Sequence, residues 1–136
     1  MTVGISESPD AGEWITLKTK PWPLHWFTPS DLMCKGSKSL LAPLGSLQKL
    51  DMTRHLFKEQ MIIVSAYRSK AHNRAVGGSP DSFHLRGRAF DIRWGYLLGP
   101  DKERLVMCAK QAGFTGFGFY HSFIHMDDGP KRFWLG

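Results

Sequence analysis

The sequence has little cysteine, no long apolar run and no concentrated run of basic residues, and each absence excludes a class of protein. Its two cysteines, Cys34 and Cys108, form no CxxC pair, so neither a disulfide framework nor a Cys-rich zinc site is expected. No apolar stretch reaches membrane-spanning length, so we expect no stable membrane insertion. The first residues, MTVGISESPDAGEW, lack the basic and apolar regions of a signal peptide, which predicts synthesis in a cytoplasm without export.

Basic residues are numerous but dispersed along the chain. Lysine and arginine total 18 against 12 acidic residues, and the net charge is +6. The longest uninterrupted basic run is Lys131-Arg132. Such a surface attracts nucleic acid, anionic membrane or an anionic polymer such as a bacterial cell wall, and charge alone does not choose among them. Because the sequence has neither a recognition motif nor a concentrated basic helix, we do not expect nucleic-acid binding.

The pattern of apolar residues predicts one small α+β domain. The length of 136 residues and the hydrophobic fraction of 42% suit a single core, and a monomer is the default expectation. Helices are predicted at about residues 45–59 and in GPDKERLVMCAKQAG, with Asp101 as N-cap, and short helices after Ser30 and Ser69. Strands are predicted in MIIVSAY and RAFDIRW, and a strand or hairpin in GFGFYHSFIHMDDG.

The segment SFHLRGRAFDIRW places His84 and Asp91 seven residues apart. On one straight strand this odd spacing would put them on opposite faces. Gly87 and the alternation of residues 89–94 argue against a helix. The spacing therefore predicts a turn at Leu85–Arg88, with His84 before it and Asp91 on the following strand. The pair is compatible with a metal site, an acid–base pair or a buried hydrogen bond.

A second histidine and aspartate lie in SFIHMDDG. On a strand, His125 and Asp127 point to the same side and can share a cavity with His84 and Asp91. Two histidines and one aspartate form a ligand set suited to zinc, with a fourth position left for water. From spacing alone, surface or hydrogen-bonding roles for these side chains remain open.

Three separated motifs resemble one known family. The stretch SAYRSKAHNRAVGGSPDSFH is similar to SxYRSxxxNxxVGGxxxSxH, and GFGFYHSFIHMDDGPKRFW resembles the same family's final strand and closing Arg-Phe-Trp. Between them lies SxHxxGxAxD, matched by Ser82, His84, Gly87, Ala89 and Asp91. From about Trp26 to Trp134 the chain thus resembles the zinc D-Ala-D-Ala carboxypeptidase family, which shares a fold with L-alanyl-D-glutamate endopeptidases and the hedgehog signalling domain.

The resemblance implies a fold and a cofactor. It implies an antiparallel sheet with flanking helices and a zinc peptidase domain over residues 26–136. The segment before it, rich in Pro, Trp and Thr, predicts an irregular arm over residues 1–25 packed on that core. The resemblance also implies one Zn²⁺ ion bound by His84, Asp91 and His125.

Further roles are implied for residues around the ligands. Arg68, in YRS, matches an arginine that holds a substrate carboxylate or carbonyl, and Ser82 would orient a ligand. Arg86 and Arg88 are expected to line the rim of the site, where they could meet anionic peptide groups.

The general base is where this sequence departs from some relatives. Many of them carry a histidine two residues before the last ligand or a glutamate three before it, and here those positions are Phe123 and Ser122. Asp127 is our first candidate and His121 the second. For Asp127 the alternative is a hydrogen bond that orients the strand or Arg132.

The expected function is that of a zinc-dependent peptidase that cuts peptidoglycan stem peptides or crosslinks and lyses cell walls. A phage endolysin that waits in the host cytoplasm and acts at the wall or periplasm fits a basic chain without a signal peptide. The alternative is a zinc-containing wall-binding module without catalysis. The sequence does not distinguish D-Ala–D-Ala, D-Ala–diaminopimelate and L-Ala–D-Glu bonds.

Overall fold

A computed structural model describes residues 12–136. The helices are α1 (Pro29–Leu32), α2 (Leu44–Phe57), α3 (Lys70–Ala75) and α4 (Gly99–Ala112), with one 3₁₀ turn at Phe83–Arg86. The strands are β1 (Trp14–Thr16), β2 (Leu41–Pro43), β3 (Ile62–Ser65), β4 (Ala89–Arg93), β5 (Gly116–Phe119), β6 (Phe123–Asp127) and β7 (Arg132–Leu135). The predicted α+β class is confirmed. Of the predicted arm, residues 1–11 lie outside the described residues, and the division at residue 25 stays a prediction.

The larger sheet has five strands in the order β3-β4-β6-β5-β7. Its first four strands pair antiparallel, as the sequence predicts. Strand β7 was not predicted, and it pairs with β5 in the parallel sense. The short connection after β6 carries the chain across the end of β5, where the amide of Arg132 donates to the carbonyl of Thr115. The chain has then reversed direction relative to β6, so it runs alongside β5 in the same sense.

The hydrophobic core lies between one face of this sheet and the helices α2 and α4. The sheet contributes Phe90, Ile92, Phe117, Ile124 and Met126, and the helices contribute Leu47, Leu50 and Leu105. The predicted alternation of β4 therefore holds for its core face. On its opposite face Ala89 and Asp91 are also buried, because they lie under the site described below, whereas Arg93 is exposed. Within residues 12–136, no helix has both the length and the apolar composition to cross a bilayer.

Two helix starts differ from the predictions. Helix α1 is capped by Thr28 and not by Ser30: the Thr28 hydroxyl accepts from the amide of Asp31, whose carboxylate accepts from the amide of Thr28. This reciprocal capping box satisfies two amides that would otherwise lack partners. Helix α4 begins after Leu98, before Asp101, because a proline occupies its first turn and is pre-organised for helix entry.

Asp128 ties the end of β6 to helix α2 and to the segment before β4. Its carboxylate accepts from Ser46 Oγ at 2.7 Å, Lys49 Nζ at 3.2 Å and Arg88 Nε at 2.6 Å. Arg88 also donates to the backbone carbonyl of Asp128 at 2.8 Å. The side chain of Asp128 is almost fully buried, so its charge is stabilised by these donors and not by water.

Replacing Asp128 with alanine is expected to lower the free energy of unfolding by about 3 kcal/mol, because it leaves buried donors without their acceptor. Equilibrium denaturation with urea measures the change. Glu103→Ala, on the exposed side of α4, serves as the control and should change stability by less than about 0.5 kcal/mol. Equal stability of the two variants would contradict the tethering role.

Candidate metal centre

The turn predicted between His84 and Asp91 is confirmed. His84 lies in the 3₁₀ turn at Phe83–Arg86, and the hydroxyl of Ser82 accepts from the amide of His84 at 3.1 Å. The turn ends at Gly87, whose φ of +68° lies in the left-handed region that favours glycine. The chain then enters β4, which carries Asp91.

The strand register brings Asp91 beside His125. The two residues are direct partners on the antiparallel strands β4 and β6, so their side chains lie on the same face of the sheet. His84 approaches this pair from the turn. The three side chains offer one ligand atom each, and these atoms lie within 4.8 Å of one another.

The hydrogen bonds of His84 leave one ring nitrogen available. Its Nδ1 lies 2.6 Å from the carbonyl oxygen of Ala66, and since a carbonyl only accepts, this nitrogen carries the proton. In the neutral imidazole the lone pair then lies on Nε2, which faces Asp91 Oδ1 at 3.2 Å. Among residues 12–136 this buried nitrogen has no hydrogen-bond partner of acceptable geometry. An unsatisfied buried polar atom costs about 1–3 kcal/mol, and a metal ion bound there would remove the cost, so the site fits a cation.

The charge distribution also favours a cation between these side chains. Burial alone would raise the pKa of Asp91, but the hydrogen bond with His125 and the proximity of His84 hold that pKa well below its usual range. Burial alone would lower the pKa of His125, but the carboxylates of Asp127 and Asp91 raise it. The cluster therefore presents an ionised carboxylate next to imidazoles, which is a hard-to-intermediate donor set that suits zinc.

Asp127 lies next to His125 and does not face the cavity freely. Its Oδ2 is 2.7 Å from His125 Nε2, and both of its oxygens accept from the guanidinium of Arg132 at 2.8 Å. The amide of Gly129 donates to Oδ1 at 3.0 Å. Although burial opposes ionisation, the donors of His125, Arg132 and Gly129 lower the pKa of Asp127 well below its usual range.

The three clustered side chains line a cavity of about 590 Å³. Arg68 also lines it, with its guanidinium donating to Ser65 Oγ at 3.0 Å and to Asn73 Oδ1 at 3.2 Å. Its Nη2 lies 3.5 Å from Asp91 Oδ2. This network fixes the guanidinium beside the candidate metal position.

The other predicted site residues lie in different places. Ser82 lines the cavity, where its hydroxyl supports the turn that holds His84. His121 is exposed in the connection between β5 and β6. Arg86 is exposed above the ring of Phe83, and Arg88 is held by Asp128. In the part of the chain that the structure describes, the cavity lining includes none of His121, Arg86 and Arg88, and their predicted roles stay predictions.

Among the cavity-lining side chains that were not predicted site residues, three form a connected group beside His125 and Asp127. These are Tyr120, Arg132 and Trp134. The indole Nε1 of Trp134 donates to the hydroxyl of Tyr120 at 2.9 Å, and its ring centroid lies 5.1 Å from that of His125. The signal available was the alternation of RFWL, which would have put Arg132 and Trp134 on one face had the segment been read as a strand.

Comparison with known proteins gives a consistent result. The sequence model of the peptidase M15 family matches residues 26–127. A probable peptidoglycan L,D-endopeptidase, MepK, of Haemophilus influenzae is 31% identical over 81 residues, which cover 54% of this chain and 42% of that protein. The zinc D-Ala-D-Ala carboxypeptidase of Streptomyces albus G is 31% identical over 97 residues, which cover 67% of this chain and 37% of that protein. The chain thus spans less than half the length of either relative.

Proposed function

The chain belongs to the peptidase M15 family, and from that premise we propose that it is a zinc-dependent peptidase that hydrolyses peptide bonds in the stem peptides or crosslinks of bacterial peptidoglycan. The observation that carries the proposal is the group of His84, Asp91 and His125 at one cavity. The relatives support it, because one is named as a peptidoglycan endopeptidase and the other as a zinc carboxypeptidase.

The proposed ligands are Nε2 of His84, a carboxylate oxygen of Asp91 and Nδ1 of His125. The carbonyl of Ala66 contacts Nδ1 of His84, so that Nε2 of this ring faces the site. Asp127 contacts Nε2 of His125, so that Nδ1 of that ring faces the site. Zinc bound by three protein ligands lowers the pKa of a bound water toward ~7 and polarises a carbonyl.

Arg68 is the proposed contact for the substrate. Three neighbours hold its guanidinium in one orientation, and its side chain is largely buried at 16% exposure. A fixed guanidinium beside the reacting carbonyl can bind a substrate carboxylate or stabilise negative charge that develops on oxygen. Ser82 supports the reaction indirectly by holding the turn of His84.

Proton transfer is proposed to involve Asp127 or His121. Asp127→Asn is expected to lower hydrolysis at least about 100-fold, and His121→Ala to change it less than about twofold, because His121 is exposed in a turn. Rates are measured on a fixed peptide substrate, with bound zinc quantified in each variant because Asp127 contacts His125. The opposite ranking of the two variants would transfer the proposed base role to His121.

A wall-binding module without catalysis is the second candidate, and one observation favours it. Both carboxylate oxygens of Asp127 already accept hydrogen bonds from Arg132, while His125 and Gly129 add further contacts. A carboxylate so occupied is a weak base. A zinc-loaded protein that binds walls but releases no new amino groups would establish this alternative.

Digestion of purified peptidoglycan tests the proposed function. The zinc-loaded protein should release new amino groups and reduce the turbidity of cell walls, whereas chelator-treated protein should do neither. Mass spectrometry of the fragments identifies the bond that is cut. Cell-wall lysis by an endolysin-type monomer is part of the proposal, and the net charge of +6 supports it by favouring contact with an anionic wall.

A further inference from the structure

Two rows of residues cross the sheet on the face that carries the site. In one row, Asp127 of β6 pairs with Gly116 of β5, and Gly116 pairs with Arg132 of β7. The other row consists of His125 of β6, Gly118 of β5 and Trp134 of β7. Because both central positions are glycine, the side chains of β7 can reach across β5 to those of β6.

The side chains of Arg132 and Asp127 fill the space above Gly116. A Cβ atom at Gly116 would lie 2.0 Å from Arg132 Nη1 and 2.2 Å from Asp127 Oδ1. Real Cβ atoms do not approach other atoms so closely, so a side chain at this position would displace the guanidinium, the carboxylate or both. The absence of a side chain at Gly116 is therefore what lets Arg132 meet Asp127.

The contact between Arg132 and Asp127 is bidentate. Nη1 donates to Oδ1 and Nη2 donates to Oδ2, each at 2.8 Å. The Asp127 side chain is fully buried, and these two bonds, together with the amide of Gly129 on Oδ1, hold the orientation of its carboxylate. In that orientation Oδ2 meets Nε2 of His125 at 2.7 Å, which leaves Nδ1 of His125 directed at Asp91.

We propose that Arg132 is a positioning residue that orients His125 through Asp127. The lack of a side chain at Gly116 leaves room for the Arg132 guanidinium at the site. The proposal rests on the ligand assignment of the proposed function. A positioning role differs from a mere substrate contact, because a positioning residue affects zinc binding when no substrate is present.

The direction in which zinc affinity changes on replacement of Arg132 distinguishes a positioning role from a purely electrostatic one. Removing a positive charge near a cation site by itself strengthens zinc binding, since like charges repel. Loss of positioning weakens it, by about 10–100-fold for a partner of a metal-bound histidine. Arg132→Gln is therefore expected to raise the zinc dissociation constant by about 10–100-fold, measured by competition with a chromophoric chelator.

Two further variants show whether zinc affinity depends on the positive charge of Arg132 or on its bidentate geometry. Lys131→Gln removes the same charge from the exposed neighbouring position and should leave zinc affinity unchanged or slightly higher. Arg132→Lys keeps the charge but loses the bidentate geometry, so its affinity should lie between those of the wild type and Arg132→Gln. If Arg132→Gln binds zinc as tightly as the wild type, or more tightly, the proposal is overturned.

The route through Asp127 is tested by combining substitutions. If Arg132 acts through Asp127, the double variant Arg132→Gln with Asp127→Asn should bind zinc as weakly as Asp127→Asn alone, whereas independent effects would multiply. Thermal unfolding of each variant in the presence of chelator establishes that the fold is intact.

A failure of the ligand assignment gives a different result. If the wild type and His84→Ala bind zinc equally well, the ligand assignment itself is wrong. If His84→Ala loses zinc while Arg132→Gln does not, the ligand assignment stands and only the positioning role is overturned.

Discussion

Replacing His84 with alanine is expected to abolish stable zinc binding and, with it, peptidoglycan hydrolysis. The imidazole supplies the buried Nε2 that faces Asp91 at 3.2 Å, and its loss leaves only two of the three proposed ligands. Because loss of a residue that merely supports a ligand costs about 10–100-fold in affinity, loss of a ligand should cost more than that. Zinc content after gel filtration and a chelator competition measure the effect.

His55→Ala is the matched control for this variant. His55 is exposed on α2, on the opposite side of the sheet from the cavity, and its replacement should leave both zinc content and hydrolysis unchanged. Full zinc retention by His84→Ala in a folded protein would refute the ligand assignment. Loss of zinc with hydrolysis retained would instead show that the reaction does not depend on this site.

The parts of the site that the sequence predicts are those fixed by local geometry. The seven-residue spacing of His84 and Asp91, with Gly87 between them, required a turn, and the turn is present. The two-residue period of a strand placed His125 and Asp127 on one side, and both lie on the same face of β6. Neither inference needed knowledge of a distant residue.

The geometry of the contact between Asp127 and Arg132 depends on a strand pairing that no local pattern contains. Arg132 lies on β7, and β7 reaches Asp127 only because that strand pairs in parallel with β5 across a row of glycines. The propensities of RFWL do not reveal which strand it will join or in which direction. The sequence therefore left a general base and a hydrogen-bond partner of Arg132 as alternatives for Asp127, and the bidentate contact is visible only in the structure.

Asp128, the neighbour of Asp127, also makes contacts that the sequence pattern does not predict. Asp127 and Asp128 are neighbours in the sequence, yet the first contacts His125 and the second contacts Ser46 and Lys49 of helix α2. Helix α2 is far away along the chain, so no sequence pattern distinguishes the residue that contacts the site from the one that stabilises the fold.

Replacing Gly87 with alanine is expected to destabilise the protein by about 3 kcal/mol, which combines two separate costs. A φ of +68° costs an L-residue about 1–2 kcal/mol. The added Cβ would also lie 2.5 Å from the carbonyl oxygen of Leu41 and 2.6 Å from Cα of Ala42, both backbone atoms of β2, and such overpacking costs typically about 1–3 kcal/mol. Equilibrium denaturation at saturating zinc measures the sum.

Gly77→Ala separates the two costs, because Gly77 has a similar φ of +73° but, chain neighbours apart, no atom of residues 12–136 lies within 4 Å of the added Cβ. Its destabilisation should be only the conformational part, about 1–2 kcal/mol. The difference between the two variants then measures how tightly the turn of His84 is packed against β2. If the variants are equally destabilised, the backbone of β2 yields without cost, and the turn that carries His84 is held by its own conformation and not by that contact.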